Sequence, residues 1–137
     1  MHILSVKQFS REFLDAMCRQ ADMFEMRLAS SSARNLLSQQ FQGKKAYLIF
    51  DGESWRTRFS FIDAARFLGM HPDESQNVSQ FSSRYPKDYD HRGESLEDSI
   101  KVLNTYHWEL GCIVMRHPQE GAAARAAKVS RVPIINA

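Results

Sequence analysis

Phe9, Phe13, Leu14, Met17, Ala21, Phe24 and Leu28 recur at steps of three and four, which places them on one stripe of a helix beginning near Ser10. The periodicity predicts that stripe as core. Ser30, Ser31 and Ser32 break the pattern, and a short helical piece over 33–40 leads to a turn at Gly43. Ala46 to Phe50 is then a continuous apolar run between polar residues, the pattern of a strand buried on both faces of a parallel sheet. Phe61, Ile62, Ala65 and Leu68 form a second helical stripe, with Gly69 positioned to end it as a left-handed cap.

From His71 to Gly93 the chain is rich in Ser, Asn, Asp, Pro and Tyr, and it reads as a long mobile loop with at most a short strand over 77–81. Loops of that length inside compact domains are uncommon and often functional. Ser95, with Asp98 three residues later, opens another helix that continues through Leu96, Ile100, Leu103 and Tyr106 or His107. Cys112 to Met115 reads as a further buried strand, Pro118 suits the first turn of a helix carrying Ala122, Ala123, Ala124, Ala126 and Ala127, and Val132 to Asn136 closes the chain as a strand. Strands alternating with helices define an α/β fold, a three-layer α/β/α domain around a mostly parallel sheet of about four strands.

Composition narrows the function classes. The 137 residues, 43% apolar and 25% charged, suit one globular domain. Eighteen Lys and Arg against 16 Asp and Glu leave a net charge of +2, too little to argue for a nucleic acid or an anionic membrane surface as partner. The longest apolar runs, Ala46 to Phe50 and Leu110 to Met115, fall far short of the roughly 18 residues that span a bilayer. With Arg11, Asp15, Arg19 and Asp22 in the first 25 residues there is no secretory signal pattern, so a cytoplasmic location without a membrane partner is expected. Cys18 and Cys112 have neither metal spacing nor a disulfide framework and read as reduced packing residues.

In an open α/β sheet, ligands bind beyond the carboxyl ends of the strands. Two segments fall there. In Phe50-Asp51-Gly52-Glu53-Ser54-Trp55-Arg56-Thr57-Arg58 a strand ends and a helix begins near Trp55. Unpaired first-turn amides, the Ser54 and Thr57 hydroxyls and an arginine together suit a phosphate group, although a capped surface helix with ordinary arginines is the commoner meaning of such spacing. In Met115-Arg116-His117-Pro118-Gln119-Glu120-Gly121 a strand again runs into a helix, and Arg116 would project into the same crevice. A lone His117 at a helix start is more often a structural hydrogen-bonder than an acid or base, and Glu120 would complement the helix dipole.

The two segments carry a family resemblance. Ser54-Trp55-Arg56-Thr57-Arg58 resembles the Ser-Thr-Arg-Thr-Arg carbamoyl phosphate signature of transcarbamylases, and the run from Val114 to Ala123 is similar to the aspartate carbamoyltransferase version of a second signature. Arg92-Gly93-Glu94-Ser95-Leu96-Glu97-Asp98-Ser99 resembles the family's Lys-Gly-Glu-Thr-Leu-x-Asp-Thr segment, and Val132 to Ala137 its Val-Pro-Val-Ile-Asn-Ala strand. The resemblance covers residues 1–137, but only the family's amino-terminal, carbamoyl phosphate-binding domain, so a chain without the aspartate-binding domain is expected.

The resemblance implies carbamoyl transfer from carbamoyl phosphate to the aspartate amine, a step of pyrimidine biosynthesis, with no metal and no cofactor. It implies that Ser54, Trp55, Arg56 and Thr57 surround the phosphate with side chains and loop amides, and that Arg116 and Thr57 touch the carbamoyl oxygen; Arg56, Thr57 and Arg116 are thus the expected catalytic residues. It further implies a homotrimer, or assembly with another transcarbamylase subunit, in which the loop bearing Ser82, Ser83 and Arg92 reaches a neighbouring site. Trp55 stands where the family has a small residue, Gly52 where it has a charged one, and Arg92 replaces a lysine. Trp55 and Gly52 leave a second reading open, a non-catalytic binding or regulatory homologue. Reading Trp55, Arg56, Arg58, Phe59 and Phe61 as a surface for single-stranded RNA is weaker, because Phe61 is better used in a helix core. Without the second half, the isolated chain is expected to bind without turnover, and with Ala137 following a core strand, uncovered apolar surface is expected, to be met by a partner or by more chain.

Overall fold

A computed structural model describes residues 1–50, 54–74, 95–106 and 109–137. The elements run α1 (Arg11–Leu28), α2 (Ser31–Leu37), β1 (Lys45–Phe50), α3 (Trp55–Phe67), β2 (His71–Glu74), α4 (Leu96–Leu103), β3 (Leu110–Arg116), α5 (Ala122–Val129) and β4 (Ile134–Asn136). All strand pairs are parallel, in the order β2-β1-β3-β4. Sequence order therefore proceeds from β1 outward in one direction to β2, and from β3 outward in the other to β4. The reversal point lies between β1 and β3.

Side chains alternate across each strand, so the sheet sorts its apolar residues into two layers. On one face Ile49, Ile113, Met115 and Ile134 pack with Leu96, Ile100 and Leu103 of α4 and with Ala122, Ala123 and Ala126 of α5. On the other, Ala46, Leu48, Phe50 and Val114 pack with Ile62 and Ala65 of α3. This is the three-layer arrangement expected from the pattern. The helix boundaries follow local chemistry. Ser10 accepts a hydrogen bond from the Phe13 amide, and Ser95 accepts one from the Asp98 amide at 3.1 Å, each starting its helix. At the end of α3, Gly69 has φ +80, and the bonds Gly69 N to Arg66 O and Met70 N to Ala65 O form a Schellman closure. Asn104 is buried and uses both ends of its amide: its Nδ2 donates to Val129 O at 2.7 Å and its Oδ1 accepts from Arg131 N at 3.0 Å.

Four expectations need correction. The α1 stripe is not core: Phe13, Met17 and Phe24 are 42, 52 and 39% exposed, and the helix has no buried residue. It packs on α2 rather than on the sheet, and that contact buries none of its residues. Cys18, on the same helix, is exposed and is not a packing residue, whereas Cys112 is half-buried on β3. Residues 71–74, read as the start of a loop, form β2. Its polar residues and Pro72 are tolerated because β2 is an edge strand, and Lys45 on β1 pairs with Asp73 at 3.3 Å. Pro118 does not open α5; that helix starts at Ala122, after Gly121 in the left-handed conformation at φ +77. The expected strand over 77–81 and His107 lie outside the described residues.

Bare apolar surface is present on α1, and at the chain end Ile135 and Ala137 are half-buried. Ile134 is fully buried, and the amino-terminal segment runs along the outside of β4, with Ile3 N donating to Ile134 O and Asn136 N donating to Ile3 O, both at 2.8 Å.

Candidate anion-binding site

β1 and β3 are adjacent parallel strands whose following helices lie on opposite faces of the sheet, α3 on one and α5 on the other. The chain therefore leaves their carboxyl ends toward opposite faces, the topological position at which open α/β sheets hold ligands. Phe50 and Arg116, the last residues of the two strands, are register partners there. Both sequence-predicted segments therefore spring from the same point of the sheet.

On the β1 side, Ser54 occupies the N-cap of α3, and its carbonyl accepts from the Arg58 amide at 3.0 Å. Its hydroxyl makes no capping hydrogen bond, unlike those of Ser10 and Ser95. The first-turn amides of a helix have no intrahelical acceptor, and the helix dipole adds partial positive charge at that end. Arg56 is exposed in this turn and Thr57 is half-buried. Trp55, the bulky departure from the signature, is 65% exposed and meets Phe59 edge-on, with ring centroids 6.3 Å apart and planes at 73°.

On the β3 side, Arg116 is exposed at the strand end. Gln119 N donates to His117 Nδ1 at 3.0 Å, so this ring nitrogen carries no proton and His117 helps to fold the turn, as expected of a structural histidine. Gln119 is itself held by Arg125 Nη2, which donates to its Oε1 at 2.8 Å. Glu120 is exposed just before Gly121. Asp51, Gly52 and Glu53, together with Ser82, Ser83 and Arg92, lie outside the described residues. Arg58, in the same turn as Arg56, has a partner that periodicity did not reveal: its Nε lies 3.5 Å from Glu74 Oε2 at the end of β2.

An exposed guanidinium at a helix start, a hydroxyl without a capping bond and a second exposed guanidinium at the neighbouring strand end suit a small multiply charged oxyanion. The ion pairs around Lys45 belong to the opposite end of β1, where hydrogen bonds donated to Asp73 and then Glu109 raise the ammonium pKa above its ordinary value.

Parallel α/β domains with a strand-order reversal of this kind form a broad class, and comparison with known proteins narrows it. The family profile described as "Aspartate/ornithine carbamoyltransferase, carbamoyl-P binding domain" matches residues 1–137, and the chain belongs to this family. The catalytic subunit of aspartate carbamoyltransferase from Methanothrix thermoacetophila is 38% identical over 136 residues, covering 99% of the chain and 40% of that protein. The chloroplastic enzyme of Arabidopsis thaliana is 37% identical over 138 residues, covering 98% of the chain and 31% of that protein. Among solved structures, the catalytic subunit of M. jannaschii aspartate transcarbamoylase superposes with a TM-score of 0.78 at 32% identity, over 98% of this chain and 40% of that one. The Trypanosoma cruzi aspartate transcarbamoylase with aspartate and phosphate gives a TM-score of 0.78 at 29% identity, over 98% of this chain and 38% of that one. The chain thus spans about 40% of the length of these relatives or less. No helix among the described residues is long and apolar enough to cross a membrane.

Proposed function

We propose that this chain binds carbamoyl phosphate as the phosphate-holding portion of an aspartate carbamoyltransferase and supports carbamoyl transfer to the aspartate amine when completed by an acceptor-binding portion. The observation that supports this reading is that Phe50, the last residue of the strand preceding α3, and Arg116 are register partners at the carboxyl ends of β1 and β3. Ser54, Arg56, Thr57 and the first-turn amides hold the phosphate, while Arg116 and Thr57 donate to the carbamoyl oxygen. Trp55 contributes its backbone amide, with its indole turned onto Phe59. The aspartate nitrogen attacks the carbonyl carbon, a C–N bond forms, the C–O bond to phosphate breaks, and the nitrogen loses a proton. Negative charge grows on the carbonyl oxygen in the tetrahedral species, which is where the donors act.

Magnitudes divide the work between the two portions. Alignment of two bound substrates supplies roughly 7 to 11 kcal/mol of barrier lowering and one oxyanion donor about 3 to 4. The first contribution requires bound aspartate. Two or three charge-assisted hydrogen bonds of about 1.5 to 3 kcal/mol each, against an association cost of at least about 4, give phosphate affinity in the millimolar to micromolar range. Binding without turnover is the behaviour expected of these 137 residues alone. The resemblance to transcarbamylases extends the same reading to a trimer in which the loop bearing Ser82, Ser83 and Arg92 serves a neighbouring subunit's site.

Calorimetric titration with carbamoyl phosphate, or with a phosphonate bisubstrate analogue, tests the proposal. Saturable heat that Arg56→Ala abolishes is expected; no heat from the unmodified chain overturns it. Native mass measurement reads the trimer directly.

A further inference from the structure

The segment from Ser54 to Arg58 carries two arginines two residues apart, which a helix turns to different sides, and the structure gives them different surroundings. Arg56 is exposed. The Arg58 guanidinium lies 5.6 Å from the Phe59 ring centroid, its Nε is buried, and that Nε is 3.5 Å from Glu74 Oε2. Glu74 is the last residue of β2 and sits beside Leu48 of β1, two residues before the strand end at Phe50.

Packing makes this contact matter. The buried residues of α3 are Ile62 and Ala65, so the apolar anchor of the helix lies in its second half. Its first turn carries exposed Trp55, Arg56 and Phe59 with half-buried Thr57 and Arg58. A helix anchored only from its second half leaves its amino end to local forces, and that end holds the amides that would face the anion.

We infer that Arg58 is a positioning residue, not a phosphate ligand: paired with Glu74, it ties the first turn of α3 to the end of β2 and so fixes where Arg56, Thr57 and the first-turn amides point. Its link to phosphate rests on the proposed function. Its link to the helix does not. Charge alone would make Glu74→Ala favour an anion and Arg58→Ala disfavour it, so weaker binding in both variants reads position rather than charge. Both side chains are partly exposed, at 42 and 31%, which limits the effect to the modest range of such pairs.

Two measurements on the 137-residue chain test this. In ligand-free protein, Glu74→Ala and Arg58→Ala should each speed hydrogen exchange at the amides of Arg58, Phe59 and Ser60 severalfold, leaving the α4 amides unchanged. In phosphate titrations each variant should raise Kd about fivefold, the double variant should do no worse than either single one, and the exchanged pair Arg58→Glu with Glu74→Arg should recover most of the affinity. A merely structural role would lower the unfolding midpoint without that recovery. Unchanged exchange in both variants overturns the inference. So does complete loss of phosphate binding in Arg58→Ala with none in Glu74→Ala, which would make Arg58 a direct ligand while leaving the proposed function intact. If the unmodified chain binds no phosphate but exchange accelerates, the tether stands and the proposed function falls.

Discussion

Phe50 and Arg116 are register partners on adjacent parallel strands, one buried and the other exposed at the strand-order reversal. The ring closes the core at the strand end, and under the proposed function the guanidinium faces the ligand. Under the proposed function Arg116→Ala should lower carbamoyl phosphate affinity by about ten- to a hundredfold, the loss of one charge-assisted hydrogen bond of about 1.5 to 3 kcal/mol, and should change inorganic phosphate affinity less. Stability should stay within about 0.5 kcal/mol, because an exposed side chain leaves no cavity. Calorimetry and urea unfolding on the same preparation separate the two effects.

Gly69 closes α3 where α2 passes behind it. Its φ of +80 disfavours any side chain, and a Cβ there would collide with the Ser38 carbonyl, a backbone group that has no rotamer to give way. Phe41 N also donates to Leu68 O at 3.0 Å, so the approach of the two segments is fixed on both sides of the glycine. Gly69→Ala should destabilise by about 2 to 4 kcal/mol. The check is a lower urea midpoint with an unchanged m-value; a midpoint within error of the parent would show that the α2 turn can retreat.

Where a residue's neighbours lie within its own element or on a central strand, the sequence pattern is sufficient. Leu96, Ile100 and Leu103 are buried as their spacing requires, Ser95 caps α4, Gly69 ends α3, and the apolar runs at 46–50 and 112–115 are the two central strands. The edge strand β2 was illegible, because His71, Pro72, Asp73 and Glu74 are set by ion pairs and an open edge rather than by two-sided burial. The α1 stripe misled for the opposite reason: periodicity reports a face that can be buried, not what buries it. The motif segments were legible as strand-to-helix turns, while the separate fates of Arg56 and Arg58 depend on Glu74, sixteen positions beyond Arg58, which spacing does not connect.

The exposed stripe makes α1 a local folding experiment. An 18-residue helix with no buried residue resembles an isolated helix, which is marginal in water, more than it resembles α4. Its Ser10 cap and the Arg11–Asp15 pair at 3.0 Å contribute only about a kcal/mol together. In native-state hydrogen exchange the α1 amides should exchange orders of magnitude faster than those of Ile100 to Leu103 in the 137-residue chain. Equal protection in the two helices would show that the stripe is covered in solution.

The two cysteines should differ as reagents. Cys18 is exposed on α1, whereas Cys112 is half-buried on β3, where burial pushes its thiol pKa up. Thiolate is the reactive form, so at neutral pH an alkylating reagent should modify one site rapidly and the other slowly. The sign for stability follows. Above the ordinary thiol range the unfolded chain ionises Cys112 while the folded chain resists, so alkaline pH favours unfolding. Peptide mass mapping over a time course identifies the fast site, and rapid labelling of Cys112 would contradict the burial.

At the start of α4, the Ser95 hydroxyl accepts from the Asp98 amide and donates to the Asp98 carboxylate at 2.7 Å, and Lys101 Nζ donates to the same carboxylate at 2.9 Å. The Lys101 hydrogen bond first, then that from Ser95, holds the Asp98 pKa below its ordinary value. A carboxyl depressed on folding contributes stability above its unfolded pKa and loses it as pH falls through the folded one. Lys101, raised chiefly by its hydrogen bond to Asp98, has the opposite window: its contribution is present below the ordinary lysine value and fades as pH rises through the folded one. Ser95→Ala removes the cap and should cost about 1 kcal/mol at neutral pH. Because one hydroxyl serves both the amide and the carboxylate, the difference between parent and variant should be flat from about pH 5 to 8 and should narrow in acid, below the ordinary carboxylate pKa. Urea unfolding at a series of pH values reads this directly, and a difference that stays constant to pH 2 would mean that the hydroxyl acts on the amide alone.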